Sequence, residues 1–565
     1  MRQNTVYTVT ANCQDCYRCV RACPVKAIRV SGGQARIEDN LCIKCGTCVR
    51  ECPQGAKKIR SDLDEAKKLI ESGQLTVASV APAFAAVFSD GLAARLPSVL
   101  RQLGFRYVSE TAEGAEYVTE KSFDGESKGN VCTACPTVVN FIEKYQPELL
   151  DSLIPVVSPM IAHGRMLKTR YPGSSVIFIG PCAAKKEEAL RPENQDTIDI
   201  VLTFKELQQW LQDENINPEH SLESGFDQGR FTGDARLFPL EGGMLKTGDI
   251  ESSTEDKNIL RISGGEEVIN LFEDKETMKS IKYVEPLFCK GGCIGGPAFS
   301  DERTILERRR KVIDYWENTP ENSGLDSSDV FHAAKFEPNP VGEENITETQ
   351  INKILEKTGK IDPAYQLNCG ACGYKTCIDN AIAVARGMAE LEMCIPYTRR
   401  LAHQRADRII ETTPDGVVIL DDELRITQMN PAFQKMFMCN NGILGRRISY
   451  LVNADGFEIL QSGTIDTYES IQNKYGIKYH EILFALRDEG QYVGFFSDIT
   501  KIKFDSNQLD VIKTQTLMHA REFLDHQVKF AQEMAHYLGE STAKSEEIAK
   551  RLIDLYDEDE EGDDK

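Results

Sequence analysis

Three short segments far apart in this 565-residue chain pair cysteine with proline or glycine: Cys132-Thr-Ala-Cys135-Pro, Pro181-Cys182-Ala-Ala-Lys185, and Glu285-Pro-Leu-Phe-Cys289-Lys-Gly-Gly-Cys293-Ile-Gly-Gly-Pro297. No one segment can close a metal centre, yet Cys135, Cys182, Cys289 and Cys293 together supply the four thiolates that a 4Fe-4S cluster needs. Gly292 and Gly295 beside Cys293 leave backbone that a large cofactor can approach. A second group is an internal repeat, Cys13, Cys16, Cys19, Cys23-Pro24 and then Cys42, Cys45, Cys48, Cys52-Pro53. Three closely spaced thiolates can wrap one face of a cube while the proline turn directs the fourth elsewhere. A third group is Cys369, Cys372 and Cys377, with Cys394 further on. Zinc on four thiolates is the rival there, because spacing alone does not separate the metals. All but Cys132 and Cys439 of the 18 cysteines fall into these sets.

Elements must carry these loops to common points. Residues 62 to 74 read as a charged helix, and Leu75-Thr-Val-Ala-Ser-Val-Ala-Pro-Ala-Phe opens a β-rich start to a larger domain. Ser175-Val-Ile-Phe-Ile-Gly reads as a buried strand delivering Pro181-Cys182, and Val138 to Tyr145 and Phe204 to Gln212 read as helices alternating with such strands. The polar stretch Phe336-Glu-Pro-Asn-Pro-Val-Gly-Glu-Glu-Asn reads as a linker, and the Ala/Met-rich run between Cys377 and Cys394 as helical. Leu517, Arg521, Leu524, Val528, Ala531, Ala535 and Leu538 alternate in steps of four and three, as a dimer seam would or as a helix packing back on its own protein would. Asp557-Glu-Asp-Glu-Glu-Gly-Asp-Asp is a solvated acidic run.

Composition narrows the setting. A hydrophobic content of 41% supports ordinary cores and the length suits about three to five modules. A net charge of -22 speaks against nucleic acid or anionic lipid as partner. No apolar run reaches membrane-spanning length and Met1-Arg-Gln-Asn-Thr is no signal peptide, so a cytoplasmic location is expected. Thiolate clusters need reducing, oxygen-poor surroundings, which points to an anaerobic cytosol.

The three cysteine loops, in this order and with Lys185, resemble the active-site loops of the FeFe hydrogenases. The resemblance implies an H-cluster, in which a 4Fe-4S cubane on Cys135, Cys182, Cys289 and Cys293 is bridged by Cys293 to a diiron unit with carbonyl, cyanide and dithiolate ligands. It assigns Lys185 to a cyanide, Glu188 to a position behind the loop where it pairs with Lys185, and Ala81, Pro82, Ala83, Pro181, Gly292 and Gly295 to the cofactor's surroundings. The eight N-terminal cysteines resemble the bacterial two-cluster ferredoxins, whose fourth cysteine crosses over; one 4Fe-4S cluster then falls to Cys13, Cys16, Cys19 and Cys52, the other to Cys42, Cys45, Cys48 and Cys23. The set at Cys369, Cys372, Cys377 and Cys394 resembles a small 4Fe-4S module found beside sensory and electron-transfer domains. Thr413-Pro-Asp-Gly-Val-Val-Ile-Leu-Asp, Ile426-Thr-Gln-Met-Asn-Pro-Ala-Phe and Gly494-Phe-Phe-Ser-Asp-Ile-Thr500 resemble a PAS domain. The expected fold is α/β multidomain: a two-cluster ferredoxin-like domain over 1–60, an FeFe hydrogenase catalytic α/β domain over 75–340, a small helical 4Fe-4S module over 345–400, an α+β PAS domain over 405–503, a helical dimerisation or output segment over 504–556, and the acidic tail 557–565.

Departures from the resembled family carry equal weight. Catalytic members have a second cysteine, a proton relay, where this chain has Ala134; their methionines flanking the diiron unit are matched by Gly180 and Leu287, and a serine near the distal cyanide by Ala83. Each change keeps the ligands and removes a tuning or proton-handling group. Cys132 offers a detour for protons, and Glu110, Glu113 and Glu116 either line another route or solvate a helix face. His163 reads as a satisfied structural histidine ahead of a donor near the cofactor, Lys186 as a surface lysine, and His480 and Cys439 as core or surface residues. His519 has no ATP-binding region after it. The whole resembles the sensory FeFe hydrogenases, with slow turnover on dihydrogen and protons and a signal passed through the 4Fe-4S clusters and the PAS domain to a separate kinase or phosphatase. A redox partner such as ferredoxin, hydrogenase maturases and a homodimer are expected, without nucleic acid or membrane. The rivals are a metabolic ferredoxin-linked FeFe hydrogenase and a non-catalytic iron-sulfur scaffold without the diiron unit.

Overall fold

The cysteine repeat at the N-terminus folds as a repeat in backbone as well as sequence. In the computed structural model, which describes residues 3–500 except 89–91, 125–128, 228, 230, 232, 251–256, 300–302, 320–328 and 343–344, and beyond 500 only Met518, Asp15 and Lys44, Tyr17 and Gly46, and Lys26 and Gly55 all take positive φ at matching places in the two runs. Left-handed backbone turns the chain sharply enough for successive thiols to face inward. A short helix follows in each, Arg18–Ala22 and Thr47–Arg50. Strands β1 (Val6–Thr8) and β4 (Lys57–Ile59) pair antiparallel around the hairpin of β2 (Ile28–Ser31) and β3 (Gln34–Ile37).

The chain divides into two compact units, Met1–Cys394 and Ile395–Lys565. Within the first, β5 (Thr76–Val80), β6 (Tyr107–Glu110), β7 (Ser175–Gly180) and β8 (Ile200–Thr203) form a parallel sheet in the order β6-β5-β7-β8. Every residue of β5 and β7 is buried, which is why Val176 to Ile179 of β7 reads as an unbroken apolar run, while β5 carries Thr76 and Ser79 inside as well. The helices Leu63–Glu71, Pro136–Tyr145 and Phe204–Asp213 form where the sequence predicts them. Strands β9 (Ile259–Ser263) and β10 (Tyr283–Leu287) pair in parallel, and Val131 bridges to both Leu153 and Val284, so the Cys132 segment lies alongside β10.

The stretch read as a linker is laid down on the domain. Asn339 N–H donates to the Glu143 carbonyl at 2.9 Å and Val341 N–H to the Lys144 carbonyl at 3.2 Å, both on the helix Pro136–Tyr145. Its backbone bonds are thereby satisfied at that helix's C-terminal end, where unpaired carbonyls need donors. The capped helices Glu348–Lys357 and Cys377–Ala385 follow. Tyr374, Met388, Ala389 and Met393 share a core with Val20, Ile28 and Val30 of the first cysteine repeat.

The second unit is an antiparallel sheet in the order β12-β11-β15-β14-β13, built from β11 (Gly416–Leu420), β12 (Ile426–Met429), β13 (Thr467–Lys474), β14 (Ile477–Leu486) and β15 (Gln491–Asp498). Phe433, Phe437, Tyr479 and Phe496 pack edge to face beneath it. Asn430 caps the helix Pro431–Met436 by accepting from Phe433 N–H at 2.8 Å, and its amide donates to the carbonyls of Ile410 and Asp415. That one side chain ties the helix Ile395–Thr412 to the sheet. The turn at Asn430-Pro431 and the closing Asp498-Ile499-Thr500, where Thr500 Oγ1 accepts from Lys478 N–H at 2.9 Å, carry the structural weight the sequence gives them. The dimer seam, His519 and the acidic tail lie outside the described residues.

Candidate metal centres

Three of the site loops leave the carboxyl ends of parallel strands, the side of an open α/β sheet on which ligands bind. Ala81-Pro82-Ala83 follows β5 as a buried 3-10 turn, Pro181-Cys182 follows β7, and Cys289 and Cys293 follow β10. Cys135 ends the segment held to β10 by Cys132 N–H bonding the Val284 carbonyl at 3.0 Å, and the helix Pro136–Tyr145 begins on the next residue.

These thiols come together. Burial pushes Cys182 up to about 11, and the charge of Cys135 adds to that, whereas Lys185 works against it. Burial raises Cys289 well above the ordinary thiol range, reinforced by Cys182, Cys135 and Cys293, and Cys293 is raised likewise, with Cys135 and Cys182 adding and Lys185 opposing. Thiols gathered in poor solvent resist ionising beside one another; a polynuclear iron centre that takes the four as thiolates relieves this, and the donor set fits one. Among the described residues no three Cys, His, Asp or Glu side chains meet at one point as ligands of a single ion would.

Lys185 is fixed beside the thiols. Its ammonium donates to Ser158 Oγ and to Glu188 Oε2, both at 2.8 Å, and more weakly to the Ala134 carbonyl at 3.4 Å. The expected pairing with Glu188 is present. The glycines have a packing reason beside the expected one. A Cβ on Gly292 would strike the Pro239 carbonyl, one on Gly295 the Lys290 carbonyl, and one on Gly296 the Pro181 carbonyl at 2.7 Å. They let protein backbone close on protein backbone around Cys293. Gly180 likewise faces Phe178, whose ring a Cβ would meet at 2.6 Å, and Leu287 and Ala83 are buried.

The sequence reading passed over Glu285. It is 3% exposed, its carboxylate accepts from Met244 N–H at 3.1 Å and Leu245 N–H at 3.2 Å, and burial raises its pKa to about 7. Its charge reaches both Cys132 and Cys293. Cys132 itself is 2% exposed and burial pushes its thiol far up, with Glu285 adding. An acidic residue in the middle of a buried strand is the signal that would have singled Glu285 out.

Other candidates go to structural work. His163 is wholly buried, held at Nδ1 by Ser79 Oγ at 2.8 Å and at Nε2 by Ser109 Oγ at 3.1 Å. Glu113 pairs with Arg170, and although burial would raise its pKa, bonds and charge from His163 and Arg170 hold it far below the carboxylate range. Glu110 is paired with Arg236 at 3.2 Å and accepts from Tyr315 Oη at 3.1 Å. Neither glutamate solvates a helix face. Lys186, read as a surface lysine, is fully buried between Asp62 at 2.9 Å and Glu206 at 3.0 Å.

In the ferredoxin-like part, burial raises Cys19 to about 11, with Cys16, Cys13 and Cys52 among the charges that add. Burial raises Cys23 to about 12, with Cys45 and Cys42 adding, and Cys48 is coupled to Cys45, Cys23 and Cys42. The fourth thiol of each run therefore stands with the other run. The second run docks on the four-thiol site: Arg50 donates to the Gly295 carbonyl at 3.1 Å, Asn140 to the Ile43 carbonyl at 3.2 Å, and the charge of Cys45 reaches Cys289. The first run meets the small module, where Arg21 donates to the Ala371 carbonyl at 3.1 Å and Tyr374 feels the charges of both Cys372 and Cys23. Cys377 and Cys394 are buried, Cys372 is half-buried and Cys369 exposed. In the second unit His480 Nε2 bonds Glu469 at 2.8 Å, and Cys439 lies 3.9 Å from the Met429 sulfur.

Compared with known families, residues 74–297 match the iron only hydrogenase large subunit, C-terminal domain. Residues 12–57 match a 4Fe-4S dicluster domain, 366–396 an Fe-S cluster family and 404–468 a PAS domain. Similar curated proteins include the NADP-reducing hydrogenase subunit HndD of Solidesulfovibrio fructosivorans, 25% identical over 43% of this chain and 54% of that protein. Iron hydrogenase 1 of Clostridium pasteurianum is 26% identical over 39% of this chain and 47% of its own. The cytosolic Fe-S cluster assembly factor NAR1 of Vanderwaltozyma polyspora is 38% identical over 20% of this chain and 22% of its own. The chain spans about half the length of the two hydrogenases. Among solved structures, a variant of the FeFe-hydrogenase HydA1 from Chlamydomonas reinhardtii aligns with 50% of this chain and 100% of its own at 16% identity and a TM-score of 0.40. The PAS domain of an HTR-like protein from Haloarcula marismortui aligns with 18% of this chain and 97% of its own at 20% identity and a TM-score of 0.16.

Proposed function

We propose that this chain, whose residues 74–297 form an iron-only hydrogenase large-subunit domain accompanied by iron-sulfur and PAS domains, is a slow FeFe hydrogenase that senses dihydrogen or redox state. The observation that carries the reading is the gathering of Cys135, Cys182, Cys289 and Cys293 beside a fixed Lys185 at the strand ends. Those four thiolates would hold the cubane of an H-cluster, with Cys293 as the bridge to the diiron unit. When bound, an H-cluster supplies an open iron position at which dihydrogen is split heterolytically.

The chain's own residues decide how fast this runs. Lys185, oriented by Ser158 and Glu188, offers a cation to an anionic ligand in a dry site. Ala134 cannot carry a proton. Glu285 and Cys132 are coupled to each other and, through Glu285, to Cys293, and Glu285 Oε can hold a proton near neutral pH. A single buried carboxyl is a slower outlet than a relay directly at the site. Each dihydrogen oxidised would yield two protons and two electrons, and clusters held by the docked second cysteine run, the first run and the small module would supply electron transfer away from the site. Output then passes through the PAS domain to a separate partner such as a kinase or phosphatase. The setting is cytoplasmic, with ferredoxin as redox partner, maturases to supply the diiron unit, and a homodimer; among the described residues no helix is long and apolar enough to cross a membrane.

Two other readings each have a specific observation behind them. Similarity to an Fe-S cluster assembly factor and the missing relay at Ala134 favour an iron-sulfur scaffold. The complete ferredoxin-like part favours a metabolic hydrogenase. Infrared spectra of the maturated, anaerobic protein under dihydrogen and under inert gas, with turnover assayed on the same sample, separate the three. Carbonyl and cyanide bands that shift with dihydrogen alongside slow turnover are expected. Absence of those bands after verified loading leaves the scaffold, and fast turnover leaves the metabolic enzyme.

A further inference from the structure

We propose that Lys360 raises the reduction potential of the cluster on Cys369, Cys372, Cys377 and Cys394 above those of the two ferredoxin-like clusters, making that module the resting place of an electron. The source of the electron rests on the hydrogenase reading; the potential difference does not. The Lys360 ammonium lies 3.1 Å from Cys394 Sγ and 3.3 Å from Cys377 Sγ, and the residue is 8% exposed. Its backbone is pinned on both sides, with N–H bonding the Leu355 carbonyl at 2.6 Å and its own carbonyl accepting from Gln366 at 3.0 Å. Gly359, at φ +64°, makes the turn that ends the helix Glu348–Lys357 and sets Lys360 in place. Among the described residues the side chain meets these thiols and no carboxylate.

Among the described residues no other thiol set is bonded by a charged donor in this way; Lys26, whose charge reaches Cys23 and Cys372, is bonded to the Val20 and Arg21 carbonyls. Cys23 and Cys52 accept from the neutral N–H groups of Ala27 and Ala56, each at 3.2 Å, and Cys42 from that of Lys44 at 3.4 Å. Lys57 is near the ferredoxin thiols, but its ammonium is bonded to Thr8 and to the Ala35 carbonyl. Lys185 near Cys182 is countered by Glu188. A bond from a charged donor is about twice as strong as a neutral one. Reducing a 4Fe-4S cluster adds one negative charge to it, so an unneutralised cation in dry contact with two ligand sulfurs favours the reduced state there over its neighbours. The first of the two electrons from one dihydrogen, or a single electron from a chemical reductant, would settle on this cluster, and the second on the cluster of next-highest potential. Cys394 is the last residue of the first unit, and the helix Ile395–Thr412 starts on the next one, so the charge would settle next to the chain's exit into the second unit.

The test is a mediated potentiometric titration of the reconstituted full chain, read by electron paramagnetic resonance. Lys360→Met and Lys360→Arg are compared with the parent, and Cys377→Ala identifies the module's signal by removing it. In the parent, that signal is expected at the highest midpoint of the chain. Lys360→Met should lower that midpoint alone by about 59 mV or more, a tenfold change in the one-electron equilibrium, and Lys360→Arg should lie closer to the parent. An unmoved midpoint, an equal shift in both variants, a common shift of all clusters, or no signal lost in Cys377→Ala would each overturn the inference. If the shift occurs in a protein without carbonyl and cyanide bands, the inference stands and the hydrogenase reading falls.

Discussion

At the residue scale, the site is defined as much by the proton-carrying group it lacks as by its ligands. With Ala134 in place of a relay, Glu285 is a carboxyl whose charge reaches both Cys132 and Cys293. Restoring the relay by Ala134→Cys should raise turnover about tenfold or more, since a positioned proton donor contributes on the order of 10² or above, with the infrared bands of the loaded protein retained; unchanged turnover would place the slow step elsewhere. Glu285 also has a signature in stability. Its carboxyl titrates at about 7 in the folded chain against an ordinary 4.5, so between those values the folded state holds a proton that the unfolded state has released. Stability attributable to this group is therefore complete below about pH 4.5 and falls as pH rises towards 7, by about 3 kcal/mol in all. Glu285→Gln should flatten that part of the profile in urea unfolding of the cofactor-free chain at pH 5 and pH 8. An identical slope in parent and variant would show that the carboxyl is ionised throughout.

At the scale of elements, the interest lies in how the second cysteine run is held against the four-thiol site. Gly46 stands at φ +73°, and a Cβ there would strike the Pro297 ring. Gly46→Ala combines backbone strain with a clash, each worth about 1–3 kcal/mol. It should push the run off its contact with Gly295, slowing electron delivery to a dye acceptor while leaving the infrared bands in place; loss of the bands would mean the whole site had moved. The element-level pattern was largely legible in the sequence. Ser175–Gly180 emerges as the buried strand it reads as, because strands buried on both faces need unbroken apolar runs, and Tyr17 and Gly46 share a backbone turn because their cysteines share a spacing. What stayed hidden was long-range pairing. Lys186 finds Asp62 across 124 residues of chain, and nothing local to Lys-Lys-Glu-Glu, where Lys185 and Glu188 are buried as well, tells which lysine is bound for which distant partner. Glu110 and Glu113 were hidden in the same way by their distant arginines. The glycines around Cys293 were singled out for a cofactor's approach; that backbone also closes on backbone there could not be read from the sequence, which does not say which distant carbonyls lie beside them. Lys186→Met tests how far that pairing holds the elements together. It strips a buried cation from two carboxylates and should cost about 3 kcal/mol or more, read as a lower urea midpoint; a neutral result would show that the carboxylates take up protons or water instead.

At the scale of the whole molecule, the division at Cys394 separates every candidate cluster ligand from the sheet that would read the signal. All sixteen ligands assigned by spacing lie in the unit Met1–Cys394, and the cysteine repeats, the parallel sheet and the small module are joined there by buried contacts. Tyr374 and Met393 complete the core of the first cysteine repeat, and Arg60, Asp62, Lys186 and Glu206 link its end to the hydrogenase-like domain. Loading of the metal centres should therefore not need the second unit. A chain ending at Cys394 is expected to take up the same iron as the full chain, about 18 atoms for four cubanes and a diiron unit, and to show the same infrared bands and turnover. The second unit has its own aromatic core about Phe433, Phe437 and Phe496 and its own tie through Asn430, so its role should appear only when output is measured. Equal iron and turnover in the shortened chain, together with a dihydrogen-dependent change in the protease sensitivity of the helix Ile395–Thr412 in the full one, would assign chemistry to the first unit and signalling to the second. A shortened chain that loaded normally but turned over several times faster would instead assign the second unit a restraining hand on the site.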